Sequence, residues 1–242
     1  MLRFLFFALI VHPIVRVILG WHVRGREFLP QQGPAIIAAN HNSHMDTMVL
    51  MALFPFAVLP KVRPVAAADY WLGTPFLTWF SHHILRAIPI ERERQDKASD
   101  PLASSVAALE AGDILIFFPE GSRGEPEQLA HFKAGLALLV ERVPDTQVIP
   151  IFLHGLGKTW PKGTGLFCPL FCHVLIGEPL KWAGHRREFM KRFKAQMHQL
   201  AAQGNFHRGS KPLLHAALNG NRNFCWDRNS GSQSAQRIIE HV

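Results

Sequence analysis

Short apolar runs alternate along the chain with longer segments whose apolar residues recur every three or four positions. Runs of the first kind are typical of buried strands, and segments of the second kind are typical of helices. The runs predict strands at 22–27, 34–40, 63–68, 85–91, 113–118, 147–152 and 171–176. The periodic segments predict helices at 44–54, 99–111, 133–142 and 185–203, with a Trp- and Phe-rich helical region between the third and fourth strands. This alternation predicts a single α/β domain whose mixed, mostly parallel sheet is flanked by helices.

The two ends of the chain differ from this pattern. Residues 4–11 are apolar, but His12 and Pro13 interrupt the run before Arg16. A helix that crosses a bilayer needs roughly 20 predominantly apolar residues, so this segment predicts an interfacial helical arm. An ordinary helix packed on the core is the alternative. We therefore expect an arm at 1–20, the main domain at 21–203 and a polar, weakly ordered tail at 204–242.

Composition narrows the class of partner. The 242 residues are 48% hydrophobic and 18% charged, which is enough to form a core and excludes a disordered chain. The net charge of +8 indicates a partner that carries phosphate: nucleic acid, an anionic membrane or a small phosphorylated molecule. The chain has 18 Phe, 6 Trp and one Tyr, and most Phe lie in apolar runs. Lipid or core is therefore favoured over nucleic-acid bases.

The first polar motif, Asn-His-Asn-Ser-His-Met-Asp at 40–46, directly follows the predicted strand 34–40. Histidine is the side-chain type whose unperturbed pKa lies closest to neutral pH. Asp46 is close enough in sequence to reach back to the ring of His41. A carboxylate in that place would hold the tautomer and stabilise the imidazolium. A His–Asp pair without a protein serine suits a reaction whose nucleophile is a hydroxyl of the substrate.

Two alternatives remain open for this motif. Ser43 could cap the next helix with Asp46 at its third position, which would leave His41 as a turn residue. His41, His44 and Asp46 could instead bind a metal, although no second cluster with ligand spacing follows. The three cysteines include no CxxC pair, which argues against zinc and disulfides and for a reducing compartment; Cys168 and Cys172 are expected in the core.

The second polar motif, Phe-Pro-Glu-Gly-Ser-Arg-Gly at 118–124, follows the predicted strand 113–118. It places the carboxylate of Glu120, the flexible Gly121 and the guanidinium of Arg123 on one loop. An arginine donates two parallel hydrogen bonds to a phosphate, and a glycine lets the backbone approach a ligand. A surface turn with a Glu–Arg ion pair is the alternative.

Several motifs occur in one order: His41-x4-Asp46, Ala-Ile-Pro-Ile-Glu-Arg ending at Arg92, Phe-Pro-Glu-Gly-Ser-Arg, Phe-Lys-Ala-Gly at 132–135, and Val-Ile-Pro-Ile at 148–151. Over about residues 20–180 this order resembles the glycerolipid acyltransferase family, which contains 1-acylglycerol-3-phosphate acyltransferase (lysophosphatidate acyltransferase). The domain at 21–203 is accordingly expected to be an acyltransferase domain.

The resemblance implies a role for each matching residue. His41 would be the general base and Asp46 would orient it. The acceptor would be held by residues of the other motifs: Arg92, Glu120, Gly121, Ser122, Arg123 and Lys133. Pro150 would shape the acyl-binding side. The implied reaction moves a fatty acyl group from acyl-CoA or acyl-carrier protein to the free hydroxyl of 1-acylglycerol 3-phosphate, which forms phosphatidate without a metal or cofactor.

The chain departs from the family pattern at several positions. Ser122 stands where Thr is frequent, Gly124 where Ser is frequent, and His44 where an aromatic residue is frequent. The block that ends at Arg92 lacks the glycine that usually begins it.

The substrates of this reaction are lipids, so the resemblance implies a membrane-associated protein at the cytoplasmic face of the inner membrane. The expected partners are a lysophospholipid, an acyl thioester with acyl-carrier protein as an alternative donor, and the membrane surface, but no nucleic acid. Another lysophospholipid or an acyl-amino-acid lipid is an alternative acceptor. Rival classes are a hydrolase, although no G-x-S-x-G motif supplies a nucleophile, and a non-catalytic basic membrane-binding protein.

Overall fold

The computed structural model describes residues 1–43, 45–67, 74–90, 100–124, 128–159 and 172–204. Seven strands in this part of the chain form one sheet. They are β1 His22–Arg24, β2 Ala35–Ala39, β3 Val62–Ala67, β4 Ile88–Ile90, β5 Ile114–Phe117, β6 Gln147–His154 and β7 His173–Ile176. Their order is β1-β7-β6-β2-β5-β3-β4, and every neighbouring pair is parallel except β6 and β7. The predicted mixed, mostly parallel sheet is confirmed.

Helices cover both faces of this sheet. The α-helices are α1 Leu2–Phe6, α2 Asp46–Ala52, α3 Pro75–Phe80, α4 Ala103–Glu110, α5 Gly135–Arg142, α6 Leu156–Thr159 and α7 Arg186–Gly204. Three π-helical turns continue the helical segments at Phe7–Val11, Ile14–Ile18 and Ser81–Leu85. The expected helices at 44–54, 99–111, 133–142 and 185–203 are all present, each slightly shorter or shifted by a residue or two. The expected tail at 204–242 lies, apart from Gly204, outside the described residues.

The sheet is buried on both faces, which explains why its strands are continuous apolar runs. All five residues of β2, the central strand, are buried. Ile37 and Ala39 face a core that includes the N-terminal helix and α2, whereas Ile36 and Ala38 face a core that includes α4, α5 and α7. Helix α7 contributes the buried residues that its spacing predicted: Phe189, Phe193, Met197 and Leu200.

The N-terminal segment is helical through residues 2–18, including Pro13. One side of this helix is buried at every fourth residue: Phe7, Val11, Val15 and Leu19. A four-residue repeat drifts around a regular α-helix of 3.6 residues per turn, but a π-helical turn contains more residues. The two π-helical turns therefore keep these four side chains on the core side. The opposite side exposes apolar residues, so the helix both packs on the core and presents an apolar surface to solvent.

The carboxyl ends of the parallel strands place the two polar motifs together. β2 pairs with β5 on one side and with β6 on the other, and all three run in the same direction. The loops that follow Ala39 and Phe117 therefore leave the same edge of the sheet, where open α/β sheets bind ligands. In the part of the chain that the structure describes, no helix has the length and apolar character needed to cross a membrane.

Candidate active site

His41 and Asp46 form a hydrogen-bonded pair at this edge. His41 Nδ1 lies 2.9 Å from Asp46 Oδ2, and the side chains are 21% and 0% exposed. A carboxylate at Nδ1 favours the tautomer that carries its proton there, which makes Nε2 the basic nitrogen. The imidazole ring also stacks on Phe118, with ring centroids 4.1 Å apart and an interplanar angle of 19°. The stacking therefore fixes the orientation of the ring, and the hydrogen bond favours one tautomer.

Asp46 is the first residue of α2, and its carboxylate organises the preceding turn. Oδ2 accepts hydrogen bonds from the backbone N–H groups of Asn42 (2.7 Å) and Ser43 (2.8 Å) as well as from His41. The residue before the helix is Met45, whose N–H donates to Ser43 Oγ. The two hydrogen bonds that the capping alternative predicts are therefore present, from Met45 N–H to Ser43 Oγ and from Ser43 N–H to Asp46 Oδ2, although the helix itself begins after Met45. The same carboxylate also binds His41, so His41 is more than a turn residue.

The loop of the second motif closes over the first. The N–H of Gly124 donates to the carbonyl of His41 at 2.9 Å. Glu120 is 4% exposed, and its carboxylate accepts hydrogen bonds from the N–H groups of Ala130 and His41. The turn itself is closed by the N–H of Gly121, which donates to the carbonyl of Phe118 at 3.0 Å. The backbone thus joins the His41 loop to the Glu120 loop directly, as their common strand edge predicts.

Burial raises the pKa of Glu120 to about 7, and the nearby charge of Asp46 acts in the same direction. The two backbone hydrogen bonds oppose this shift but do not cancel it. Glu120 Oε2 is buried and has no hydrogen-bond partner among the described residues. A carboxyl group in this place is about half protonated at neutral pH, which limits the negative charge beside Asp46.

Substitution of Glu120 by Gln is expected to remove a pH dependence of stability. The unfolded chain loses this proton near 4.5 and the folded chain near 7, so the folded state binds more protons between these values. The free energy of unfolding of the wild type should therefore fall as the pH rises from about 4.5 to about 7. Thermal midpoints measured across this window should decline less in Glu120→Gln than in the wild type. The exposed Glu110→Gln is the matched control, and a slope unchanged in Glu120→Gln would contradict the prediction.

The side chain of Lys133 lies against Gly121 of the Glu120 loop. The backbone of Gly121 has φ +76°, a left-handed conformation that favours glycine, and an added Cβ would lie 2.7 Å from Lys133 Nζ. The N–H of Lys133 donates to the carbonyl of Pro119 at 2.9 Å, so the lysine backbone is tied to this loop as well. The ammonium group therefore lies directly against the glycine.

The other predicted site residues lie on the Glu120 loop, in β6 or outside the described residues. Ser122 is exposed and Arg123 half-buried on the same loop. Arg92 and His44 lie outside the described residues. Pro150 is buried in β6, where its ring lies next to Gly177 and its carbonyl accepts from the Gly177 N–H at 2.8 Å. In the described ranges no group of three His, Cys, Asp or Glu side chains could hold a metal ion.

Three features of the site were missed at the level of sequence. The side chain of Asn40 continues the β2–β6 pairing: its Nδ2 donates to the carbonyl of Leu153 and its Oδ1 accepts from the N–H of Leu153. Phe118 stacks on His41, although its place in the motif gave no sign of this contact. Cys172 lies in the core, as expected, but burial raises the pKa of its thiol and so does the charge of Asp46. Of these, the sequence showed only that an asparagine directly precedes His41; its contact with Leu153 follows from the tertiary structure.

A profile of the Acyltransferase family matches residues 20–154, more than half of the chain. The chain belongs to this family, and the resemblance to glycerolipid acyltransferases is confirmed. The solved structure of the 1-acyl-sn-glycerophosphate acyltransferase PlsC from Thermotoga maritima superposes with a TM-score of 0.67 at 21% identity, covering 86% of this chain and 83% of that one. At that identity the superposition establishes the fold.

Curated relatives carry related names. A chloroplastic 1-acyl-sn-glycerol-3-phosphate acyltransferase of Arabidopsis thaliana is 27% identical over 175 residues, covering 70% of this chain and 45% of the relative. The human 1-acyl-sn-glycerol-3-phosphate acyltransferase alpha is 25% identical over 165 residues, covering 67% of this chain and 55% of the relative. The chain thus spans about half the length of the curated relatives it matches.

Proposed function

We propose that the protein transfers a fatty acyl group from acyl-CoA or acyl-carrier protein to the free hydroxyl of 1-acylglycerol 3-phosphate and so forms phosphatidate. The hydrogen bond between His41 and the fully buried Asp46 is the observation that carries this proposal. The names of the curated relatives support the choice of acceptor.

In the proposed reaction, His41 Nε2 takes the proton of the acceptor hydroxyl as its oxygen attacks the thioester carbonyl carbon. Asp46 stabilises the imidazolium that forms, because its carboxylate accepts the Nδ1 proton. The tetrahedral intermediate collapses, the carbon–sulfur bond breaks, and the departing thiolate takes the proton from the imidazolium. The products are the new ester and a free thiol, and the base returns to its starting state.

The phosphate of the acceptor is proposed to bind beside Gly121. Lys133 supplies an ammonium group there, Arg123 lies on the same loop, and the resemblance adds Arg92. A partly protonated Glu120 would repel a phosphate less than an ionised carboxylate would. Binding the phosphate away from the reacting hydroxyl orients the acceptor toward His41.

The membrane is proposed to meet the exposed side of the N-terminal helix together with α3. The exposed large apolar residues of the described chain all lie on these two segments: Met1, Leu2, Phe4, Leu5, Leu9, Ile10, Val17, Phe76 and Trp79. We propose a bilayer as the partner of these exposed residues, because the proposed acceptor and product both reside in one. The net charge of +8 also suits anionic lipids. A high-salt or carbonate wash that released all of the protein from vesicles would contradict this contact.

Release of free thiol from palmitoyl-CoA tests the proposed reaction. The purified protein in detergent should release thiol faster when 1-acylglycerol 3-phosphate is added, and phosphatidate should accumulate in equal amount. Thiol release that is independent of any acceptor would indicate a thioesterase instead. Release that responds to another lysophospholipid or to an acyl-amino-acid lipid, but not to the phosphate acceptor, would move the proposal to that alternative acceptor.

Substitution of Gly121 by Ala is expected to weaken acceptor binding, whereas Gly112→Ala should not. Both glycines have φ +76°, but an added Cβ meets Lys133 only at Gly121 and meets nothing within 4 Å at Gly112. Each variant should lose about 1–2 kcal/mol of stability from backbone strain. Only Gly121→Ala should raise the KM for 1-acylglycerol 3-phosphate, by about tenfold, because it displaces a charged donor. An equal KM in both variants would remove Lys133 from the proposed phosphate site.

A further inference from the structure

A second basic site lies away from His41. A cavity of about 390 Å³ opens between the start of the N-terminal helix, the segment before β3 and the end of the helical segment 75–85. Its apolar lining includes Phe4, Phe56 and Leu59, and its basic lining is Arg3, His83 and Arg86. The cavity therefore combines the two surfaces that an amphiphilic anion requires.

This cavity lies at the edge of the sheet opposite the candidate active site. Leu59 and Pro60 come just before Val62, the first residue of β3, and Arg86 comes just before β4. β3 and β4 run parallel to β5 and β2, whose opposite ends lead to the His41 and Glu120 loops. A strand of five residues spans about 16 Å, so one phosphate cannot contact both sites.

Arg3 is held in this cavity with part of its hydrogen-bonding capacity unused. Its Nη2 donates to the carbonyl of Val62 at 2.7 Å, but Nε and Nη1 are buried and have no partner among the described residues. Buried donors without a partner are unfavourable, and more so on a charged group. Because these two atoms are not accessible to solvent, Arg3 would act on an anion in the cavity through its positive charge.

Other guanidinium groups surround Arg3. Burial, together with repulsion from Arg86 and Arg63, lowers the pKa of Arg3 to about 10, so the group stays charged at neutral pH. The one carboxylate paired with these arginines in the described chain is Asp113, 3.2 Å from Arg63 Nη1. Three cations and one anion leave an excess of positive charge beside the cavity.

Arg86 is held at the cavity wall in an unfavourable backbone conformation. Its φ of +55° is the one positive value at a residue other than glycine in the described chain. Its Nη1 donates to the carbonyl of Pro60 at 2.8 Å, and its own carbonyl accepts from Arg63 Nε at 3.2 Å. Such a conformation costs about 1–3 kcal/mol and persists where the surrounding contacts require it. These contacts hold Arg86 at the cavity wall.

We propose that this cavity binds the phosphate headgroup of an anionic phospholipid of the membrane, distinct from the acceptor at His41. The phosphate would lie at Arg3 and Arg86, and the acyl chains would follow the apolar lining. A lipid fits better than free phosphate, because Leu2 and Phe4 both line the cavity and belong to the exposed apolar side of the N-terminal helix. The site would anchor and orient the protein, and it does not depend on the proposed acyl transfer.

Binding of soluble lipids to the full chain tests the site. Calorimetric titrations use three probes: short-chain phosphatidylglycerol, short-chain phosphatidylcholine and inorganic phosphate. The two lipids are kept below the concentrations at which they form micelles. We expect saturable binding of phosphatidylglycerol that is at least about tenfold tighter than that of the other two probes. Equal binding of phosphatidylcholine would overturn the anionic selectivity, and equal binding of phosphate would reduce the site to one for a free anion.

Matched histidine variants locate the binding. His83 and His82 are adjacent and exposed, but only His83 lines the cavity. His83→Glu places a carboxylate among the arginines and should weaken phosphatidylglycerol binding by about tenfold or more, whereas His82→Glu should stay within about twofold. Equal weakening in the two variants would overturn the proposal. Acceptor-dependent thiol release in detergent should be the same in both, so that failure of this site is distinguishable from failure of the proposed reaction.

A second pair of variants removes a positive charge instead of adding a negative one. Arg3→Gln should also lose about tenfold in affinity, and Arg16→Gln, an exposed arginine on the same helix that does not line the cavity, should not. Circular dichroism establishes that each variant is folded. If Arg3→Gln fails to fold, the His83 and His82 pair still decides the outcome.

Discussion

Replacement of His41 by alanine is expected to lower the rate of acyl transfer by a factor of about a hundred to ten thousand. The variant loses the proposed base for the hydroxyl proton, while the loops on either side retain their backbone hydrogen bonds. The N–H of Gly124 still donates to the carbonyl of residue 41, and Asp46 still accepts from Asn42 and Ser43. Loss of the stacking contact with Phe118 should cost only about 1 kcal/mol of stability.

The measurement is acceptor-dependent thiol release, with the thermal midpoint taken on the same preparation. His131→Ala is the matched control, because His131 is exposed on the loop that follows the Glu120 motif. It should retain activity within about twofold, which is the range expected for an exposed residue outside the site. A wild-type rate in His41→Ala would show that another group acts as the base.

Replacement of Asp46 by asparagine should have an effect of similar size for a different reason. In the His–Asp pair of serine proteases the corresponding change lowers kcat by about ten-thousandfold, because the neutral amide neither holds the tautomer nor stabilises the imidazolium. Here one oxygen, Oδ2, accepts three hydrogen bonds, and Oδ1 is buried without a partner among the described residues. An amide nitrogen at the Oδ1 position would be a buried donor without an acceptor, which adds a loss of about 1–3 kcal/mol in stability.

The double variant separates a coupled pair from two independent residues. If Asp46 acts through His41, the activity of His41→Ala/Asp46→Asn should equal that of His41→Ala alone, because residues that act as a unit are not additive. The thermal midpoint, in contrast, should fall further in the double variant than in His41→Ala. Activity losses that multiply would show that Asp46 contributes to the reaction by a route that does not involve the imidazole.

Local sequence was sufficient to predict most of the sheet and the helices that cover it. The strand Ala35–Ala39 is a continuous apolar run because both faces of the sheet are buried, and helix α7 shows four apolar residues at helical spacing because only one of its sides is buried. Gly112, in the left-handed conformation, lies just past the end of α4, where glycine is common. Each of these signals depends on residues that are neighbours in sequence.

The pairing at the site was also predictable, because its parts follow strand ends that share one edge. Five residues separate His41 from Asp46, and the loop after β5 lies beside the loop after β2 because those strands are adjacent and parallel. The stacking of Phe118 on His41 and the bridge from Asn40 to Leu153 were not predictable. Those contacts join residues 77 and 113 positions apart in sequence, and no local pattern records them.

The α/β class and the His41–Asp46 pair could therefore be predicted from residue types at short spacing, and the family from the order of several motifs along the chain. Tertiary structure alone decided which side of the N-terminal helix is exposed, how Glu120 comes to be buried near Asp46, and how Arg3, Arg63 and Arg86 are brought together. The physical reason is that burial and charge repulsion depend on distances through space. Those distances are set by the packing of helices across the whole sheet.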